Sequence, residues 1–290
     1  MAKRVIIAGG GTGGHIFPAI AIAKALQDLD KEVEILFAGA KGRMEMEKIP
    51  EAGFKIEGLD IAGFNRSSLI KNIGLPFKMM KSFFQVRKIF RQFNPHAVIG
   101  VGGYSSFPVL KLAQMNGIPS FIHESNSFAG KSNKMVGRKA TKVFTGTTGM
   151  EKFFPAEKII VTGNPVRREI GTSNVSRSDG IRHFNLDESK KTLLVVGGSL
   201  GAKSINEAID AGLDELLAAG LQLIWQTGTP YGARGKERGK DKTSVWVNEF
   251  IRDMQHAYAA ADIVVARSGA MTVAELCVVK KPVLFVPYHC

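Results

Sequence analysis

The chain has 290 residues, 44% apolar and 22% charged, and a net charge of +13. These are the proportions of a globular protein long enough for two domains of ordinary size. No apolar run approaches the roughly 18 residues a membrane-spanning helix needs, and Cys277 and Cys290 are too few for a disulfide framework, which points to a reducing cytosolic setting.

The first element is Arg4–Ala8, a β-branched run that reads as a buried strand. Lys3-Arg4 before an apolar run is how a signal peptide begins, but the glycines that follow interrupt it at once, so none is expected. Gly9-Gly10-Gly11-Thr12-Gly13-Gly14-His15 comes next, then a helix over Ile16–Leu26 with Pro18 in its first turn. A plain β–α turn needs one or two glycines. Five in six residues let the backbone approach a ligand closely, and the amides at the helix start favour an anion. The loop fits G-x-G-x-x-G at Gly9, Gly11 and Gly14. A dinucleotide fold also wants an acid where the second strand ends, and Val33–Ala38 runs into Gly39-Ala40-Lys41 with no carboxylate. A nicotinamide cofactor is therefore disfavoured.

Further strands are expected at Phe54–Glu57, Ala97–Val101, Ser120–His123 and Lys142–Phe144, alternating with helices. That alternation predicts an α/β fold with a parallel sheet covered by helices on both faces. Between residues 61 and 123 stand eight basic side chains and no acidic one, and residues 1–150 carry +11 of the net charge. This asymmetry calls for an anionic partner: nucleic acid, anionic lipid or a phosphorylated substrate. Within it, Phe64, Leu69, Ile70, Ile73, Leu75 and Phe77 interleave with Lys71, Lys78 and Lys81 and read as a surface for a membrane interface. Val86, Ile89, Phe90 and Phe93 are expected to pack on the sheet. No nucleic-acid motif is present, and the aromatics are Phe with few Tyr or Trp, so nucleic acid is not the expected partner.

A second glycine loop, Gly100–Pro108, follows the fourth strand, and His123-Glu124-Ser125-Asn126 follows the fifth. Three polar loops on one sheet edge predict a binding site there. The pattern changes near Val161–Arg167, where a strand enters an Asn-Pro turn, which places a domain boundary between residues 163 and 164. Thr192–Val196, then Gly197-Gly198-Ser199-Leu200-Gly201-Ala202, then a helix, repeats the opening element. The halves 1–163 and 164–290 are thus expected to be similar α/β domains facing one cleft. Strands Gln222–Gln226, Ser244–Val247, Ile263–Ala266 and Val283–Val286 complete the second half. The turn Ser268-Gly269 opens a helix bearing Glu275, either a ribose ligand or an ordinary solvated carboxylate.

Gly9–His15 with Phe17-Pro18-Ala19, His123-Glu124-x-Asn126, Gly163–Arg167, Gly197–Ala202 and Arg267-Ser268-Gly269-Ala270-x-Thr272 together resemble the MurG family of bacterial glycosyltransferases. The resemblance runs from residue 5 to 287. It implies a GT-B fold, two Rossmann-like domains with the active site between them, and no bound metal or other cofactor. It implies that N-acetylglucosamine passes from UDP-GlcNAc to the 4-hydroxyl of N-acetylmuramic acid on lipid I, with inversion, in peptidoglycan synthesis on the cytoplasmic face of the plasma membrane. Residue by residue, it puts Thr12, Gly13 and Gly14 at the diphosphate–sugar junction and Asn126 on the donor. Arg167 and Ser199 would hold the diphosphate region, and Ile251 would meet the uracil. Ala270, Met271, Thr272 and Glu275 would hold nucleotide and sugar, with Glu275 on the ribose. His15 would be the base, with Glu124 as its rival. Members of the family continue past such a final strand into an Asp-His-Gln segment and two more helices. The sequence ends at Pro287-Tyr288-His289-Cys290, so the second domain is expected to be incomplete. Two rival readings stay open: another GT-B enzyme with a different nucleotide sugar or lipid acceptor, such as a diacylglycerol glucosyltransferase, and a non-catalytic nucleotide or nucleic-acid binder.

Overall fold

The structure is a computed structural model that describes residues 2–63, 73–198 and 200–287. The chain divides into two compact units, Met1–Pro165 and Val166–Cys290.

The first unit is built on β1 (Arg4–Ala8), β2 (Glu34–Ala40), β3 (Lys55–Leu59), β4 (Ala97–Gly100), β5 (Ser120–Glu124), β6 (Lys142–Thr145) and β7 (Ile159–Val161). All pairings are parallel, in the order β3-β2-β1-β4-β5-β6-β7. The helices between them are α1 (Gly13–Leu29), α2 (Glu45–Glu51), α3 (Leu75–Phe93), α4 (Ser106–Met115) and α5 (Lys131–Gly137). A parallel sheet is buried on both faces, so its strands are apolar throughout. Along β1 the two-residue period sends Ile6 and Ala8 into one core with Val86, Val109, Leu110 and Ile122, and Val5 and Ile7 into the other with Ile16, Ala19 and Phe37.

The second unit repeats the plan with β8 (Lys191–Val196), β9 (Leu221–Gln226), β10 (Val245–Asn248), β11 (Ile263–Arg267) and β12 (Val283–Val286) in the order β10-β9-β8-β11-β12, again parallel. Its helices are α6 (Arg168–Gly171), α7 (Arg177–His183), α8 (Lys203–Ala218), α9 (Gly232–Gly239), α10 (Met254–Ala260) and α11 (Ala270–Val279). Leu194 and Val196 face one core, Leu193 and Val195 the other.

Each sheet grows outward from its first strand in both directions. The strand order therefore reverses between β1 and β4 in one unit and between β8 and β11 in the other. In open α/β sheets the crevice beyond the carboxyl ends of two such strands is where ligands bind. The loops after β1 and β4 are Gly9–Thr12 and the Gly102-Gly103 turn. Those after β8 and β11 are Gly197–Ala202 and Ser268-Gly269.

Two expectations change. Helix α1 starts at Gly13, inside the glycine loop, so Pro18 lies in its second turn and is buried. Lys81 is not an unpaired basic residue: with Lys41 it grips Asp60, at 2.9 and 3.1 Å, and the two ammonium groups hold that carboxyl down at about 2. The acid stands just outside the all-basic interval. Phe64, Leu69, Ile70, Lys71 and Ser199 lie outside the described residues.

Candidate active site

In the first unit the Thr12 carbonyl accepts from the amides of His15 and Ile16 at 3.1 and 3.2 Å, which closes the first turn of α1. The amides of Gly13 and Gly14 precede that turn and have no intrahelical acceptor, so they point where a helix N-terminus favours an anion. Thr12 and Gly14 are exposed and Gly13 is buried.

Beneath this loop sits a group the sequence did not single out. Glu45, at the start of α2, is 0% exposed. Its Oε1 accepts from the Ala40 amide at 3.0 Å and its Oε2 from the Gly11 amide at 2.9 Å. A carboxylate does stand beyond β2, five residues past Ala40, but it is turned back onto the protein's own backbone. A ribose cannot reach it, which removes the dinucleotide reading on structural grounds. A Cβ on Gly10 would come within 2.1 Å of Glu45 Oε1, so only glycine fits there.

His15 lies on the outer side of the same loop. Its Nδ1 is 3.1 Å from the Gly10 carbonyl and 3.4 Å from Thr12 Oγ1. A carbonyl only accepts, so Nδ1 is assigned the proton and Nε2 the lone pair. Burial pushes the imidazole pKa below its ordinary 6.5, against the raising effects of the Gly10 hydrogen bond and the charges of Glu124 and Glu45. At neutral pH His15 is thus an uncharged imidazole with a basic nitrogen. The second glycine loop packs closely against the ring: a Cβ on Gly102, whose φ is +98°, would stand 2.8 Å from Cδ2 and 2.9 Å from Nε2.

Glu124 is differently placed from His15. It is 3% exposed, and both oxygens are engaged. Oε1 accepts from the Asn126 amide and from Asn126 Nδ2 at 3.1 and 3.2 Å. Oε2 accepts from the Gly130 amide and from Asn133 Nδ2, both at 2.9 Å. Four hydrogen bonds fill the acceptor sites a carboxylate offers, so the geometry suits a loop anchor rather than a base. The loop it shapes leaves Asn126 exposed. Asn164, from the Asn-Pro turn, donates from Nδ2 to the Ser125 carbonyl at 3.1 Å and ties the same loop down. His123 is buried beside it, 3.4 Å from Ser125 Oγ and 3.5 Å from the Gly163 carbonyl, with its pKa lowered by burial.

In the second unit the glycines again allow close backbone approach. A Cβ on Gly201 would lie 2.0 Å from the Thr227 carbonyl, and Gln226 Nε2 donates to the Gly198 carbonyl at 2.9 Å. After β11, exposed Ser268 and Gly269 lead into Ala270, Met271 and Thr272, the first turn of α11. Glu275, two turns in, is not solvated: it is 7% exposed. Arg167 reaches its Oε1 with Nε and Nη2 at 3.2 and 3.1 Å, and the Tyr258 hydroxyl donates to Oε2 at 3.0 Å. Burial and the adjacent carboxylate push the Tyr258 pKa well up, so the phenol keeps its proton. One lone-pair direction remains on Oε2. Ile251 is 2% exposed and packs with Met254 and Ala257 in the core, so its side chain does not face a ligand. Among the described residues no cluster of three or more His, Cys, Asp or Glu has the arrangement to hold a metal ion, and no helix is long and apolar enough to cross a membrane.

The family model of the glycosyltransferase family 28 N-terminal domain matches residues 5–145, and that of the family 28 C-terminal domain matches residues 192–290. A relative from Phocaeicola vulgatus is 50% identical over 287 residues, 98% of this chain and 76% of that protein. It is named UDP-N-acetylglucosamine–N-acetylmuramyl-(pentapeptide) pyrophosphoryl-undecaprenol N-acetylglucosamine transferase. One of the same name from Parabacteroides distasonis is 47% identical over 98% of this chain and 78% of its own. The crystal structure of MurG from Acinetobacter baumannii superposes with a TM-score of 0.70 at 31% identity, covering 99% of this chain and 79% of that one. The UDP-GlcNAc 2-epimerase of Neisseria meningitidis, at 14% identity and a TM-score of 0.67 over 98% of this chain and 82% of its own, shares the fold alone. The two parallel sheets with their covering helices are those of a GT-B glycosyltransferase, and the chain belongs to glycosyltransferase family 28.

Proposed function

We propose that the protein transfers N-acetylglucosamine from UDP-GlcNAc to the 4-hydroxyl of the N-acetylmuramic acid of lipid I, giving lipid II with inversion at the sugar. The observation that carries this reading is the identity of about half the residues, over nearly the whole chain, with relatives named for that transfer. The first unit is the acceptor side and the second holds the donor nucleotide.

The chemistry follows from the groups described. His15 Nε2 accepts the proton of the acceptor hydroxyl while Nδ1 keeps its own, held by the Gly10 carbonyl. The hydroxyl oxygen attacks C1 of the donor sugar, and the bond from C1 to the diphosphate breaks with its electrons leaving on UDP. Charge develops on the departing diphosphate and is met by amides at helix starts, of which each unit offers one, at Gly13 and Gly14 and at the first turn of α11. Because Gly11 already gives its amide to Glu45, the first loop has fewer outward donors than its glycine count suggests. We therefore assign the diphosphate mainly to the second unit, where the resemblance puts Ser199 and Arg167, and the sugar junction to the first loop. Glu275, oriented by Arg167 and Tyr258, receives a ribose hydroxyl on its remaining lone pair, and the resemblance puts Ile251 at the uracil. Asn126 contacts the donor sugar.

The acceptor of such a reaction is lipid-linked and stays in its membrane. The protein works at the cytoplasmic face as a peripheral enzyme, docking through the basic and apolar surface of α3 and the segment before it. Radiolabel transfer from UDP-GlcNAc onto a lipid I analogue tests the whole reading. Transfer from UDP-GlcNAc but not UDP-Glc is expected, and His15→Ala should abolish turnover while leaving UDP-GlcNAc binding nearly intact. Preference for UDP-Glc would assign the chain to another lipid-acceptor glycosyltransferase, and loss of donor binding in His15→Ala would make His15 a donor ligand.

A further inference from the structure

Glu45 and His15 touch the same peptide group. The Gly11 amide that donates to Glu45 Oε2 at 2.9 Å and the Gly10 carbonyl that faces His15 Nδ1 at 3.1 Å are the two ends of one planar unit. The carboxylate lies against one edge of that plane and the imidazole against the other. Nothing in the loop motif requires this. The carboxylate comes from another helix, 34 residues on, is 0% exposed, and takes its second oxygen to Ala40 rather than to any side-chain cation.

A buried carboxylate with no cationic partner among the described residues is costly and persists only where hydrogen bonds hold it. Gly10 has no room for a side chain because Glu45 Oε1 fills it, and Gly39 would meet Glu45 Cγ at 2.6 Å if it carried one. Three parts of the unit, α2, the end of β2 and the glycine loop, are thus shaped around this one group.

We propose that Glu45 is a positioning residue for the transfer, acting on His15 through the Gly10–Gly11 peptide as a carboxylate–peptide–imidazole relay. The proposal rests on the reading of His15 as the base. An N–H bonded to a carboxylate polarises its own carbonyl, and hydrogen bonds in a chain strengthen one another. The Gly10 oxygen becomes a better acceptor for Nδ1–H. That fixes the tautomer with Nε2 free and stabilises the imidazolium formed when Nε2 takes the acceptor proton. A buried carboxylate placed directly on a base histidine does the same in hydrolases; here one peptide stands between the two. No proton passes along the relay: the Nδ1 proton stays on Nδ1.

The groups that act on the His15 charge are Glu45 from α2 and Glu124 and His123 from β5, the carboxylates favouring protonation. Removing the Glu45 charge should therefore move the His15 titration to lower pH. The test is Glu45→Gln, which keeps the shape, together with His15→Ala. For Glu45→Gln we expect kcat to fall about 10- to 100-fold with KM for UDP-GlcNAc little changed, and the acidic limb of kcat/KM to move down in pH. The His15 imidazole signal, followed by NMR in the unliganded chain, should move with it. Glu45→Asp, one methylene too short to reach both amides, should not rescue kcat. In the wild type, which needs no variant to fold, the Gly11 amide should be protected from exchange and its shift should titrate at the His15 midpoint. An unprotected Gly11 amide overturns the proposal. So does a Glu45→Gln protein with wild-type midpoint and kcat when His15→Ala is inactive. If His15→Ala still turns over, the base assignment itself has failed, and the proposal falls with it.

Discussion

At Gly102 the functional constraint is the absence of a side chain. Its φ of +98° is open to glycine, and the volume a Cβ would occupy lies 2.9 Å from His15 Nε2. A methyl there would crowd the nitrogen that, on the proposed reading of His15, takes the acceptor proton. Gly102→Ala should lower kcat about 100-fold while UDP-GlcNAc binding, measured by calorimetry, is unchanged; full turnover would mean that Nε2 is approached from elsewhere. Other residues at this scale divide by how local their chemistry is. The loop that carries His15 was legible because five glycines stand between a strand and a helix. Glu124 was legible as important but not as an anchor: its four donors include Gly130 and Asn133, six and nine residues on. Glu45 and Tyr258 were not legible, because neither of the two belongs to a motif and their partners, Gly11 and Glu275, lie 34 and 17 residues away. An acid at the head of a short helix after the second strand was the one available signal for Glu45.

Helix α3 shows what an element adds. Val86, Ile89 and Phe90 are buried against the sheet, and Phe93 packs on the same core, as the spacing predicts. Ile73, Phe77, Met80 and Phe84 recur at helical spacing too, yet are more than half exposed on the opposite side of the element. Exposed Lys78, Lys88 and Arg91 interleave with them. One face holds the fold and the other is left apolar and basic, as in helices that lie in a membrane interface. Phe77→Ser with Phe84→Ser should weaken co-sedimentation with anionic vesicles without changing the helical content by circular dichroism. Raising salt should weaken the wild type further, each near-surface Lys or Arg contributing about 1 kcal/mol at low ionic strength. Association unaffected by both changes would place the docking surface elsewhere. Lys81 is the poorer probe, since its charge is already matched by Asp60.

Across the molecule, stability should depend on the two histidines that burial keeps neutral. The pKa values of His15 and His123 lie below the ordinary 6.5 in the folded chain. As pH falls through that value the unfolded chain takes up protons that the folded chain refuses, so folding loses stability on the acid side. Thermal melts at pH 7.5 and 5.5 should show a lower Tm at 5.5, and His15→Gln with His123→Gln should narrow the gap. An unchanged gap would assign the acid sensitivity to other groups.

Strand positions, the parallel sheets, the repeat of strand, glycine turn and helix at the head of each half, and the family itself were all present in the sequence. Short continuous apolar runs and glycine density are local properties that the order of residues records directly. Tertiary structure alone decided which polar groups meet. Burying a carboxylate or a phenol demands a partner, and that partner is whatever the fold brings near, however far along the chain. So the sequence marked the loop that carries His15. Only the fold set Glu45 behind its Gly10–Gly11 peptide and joined Arg167, Tyr258 and Glu275 into one cluster.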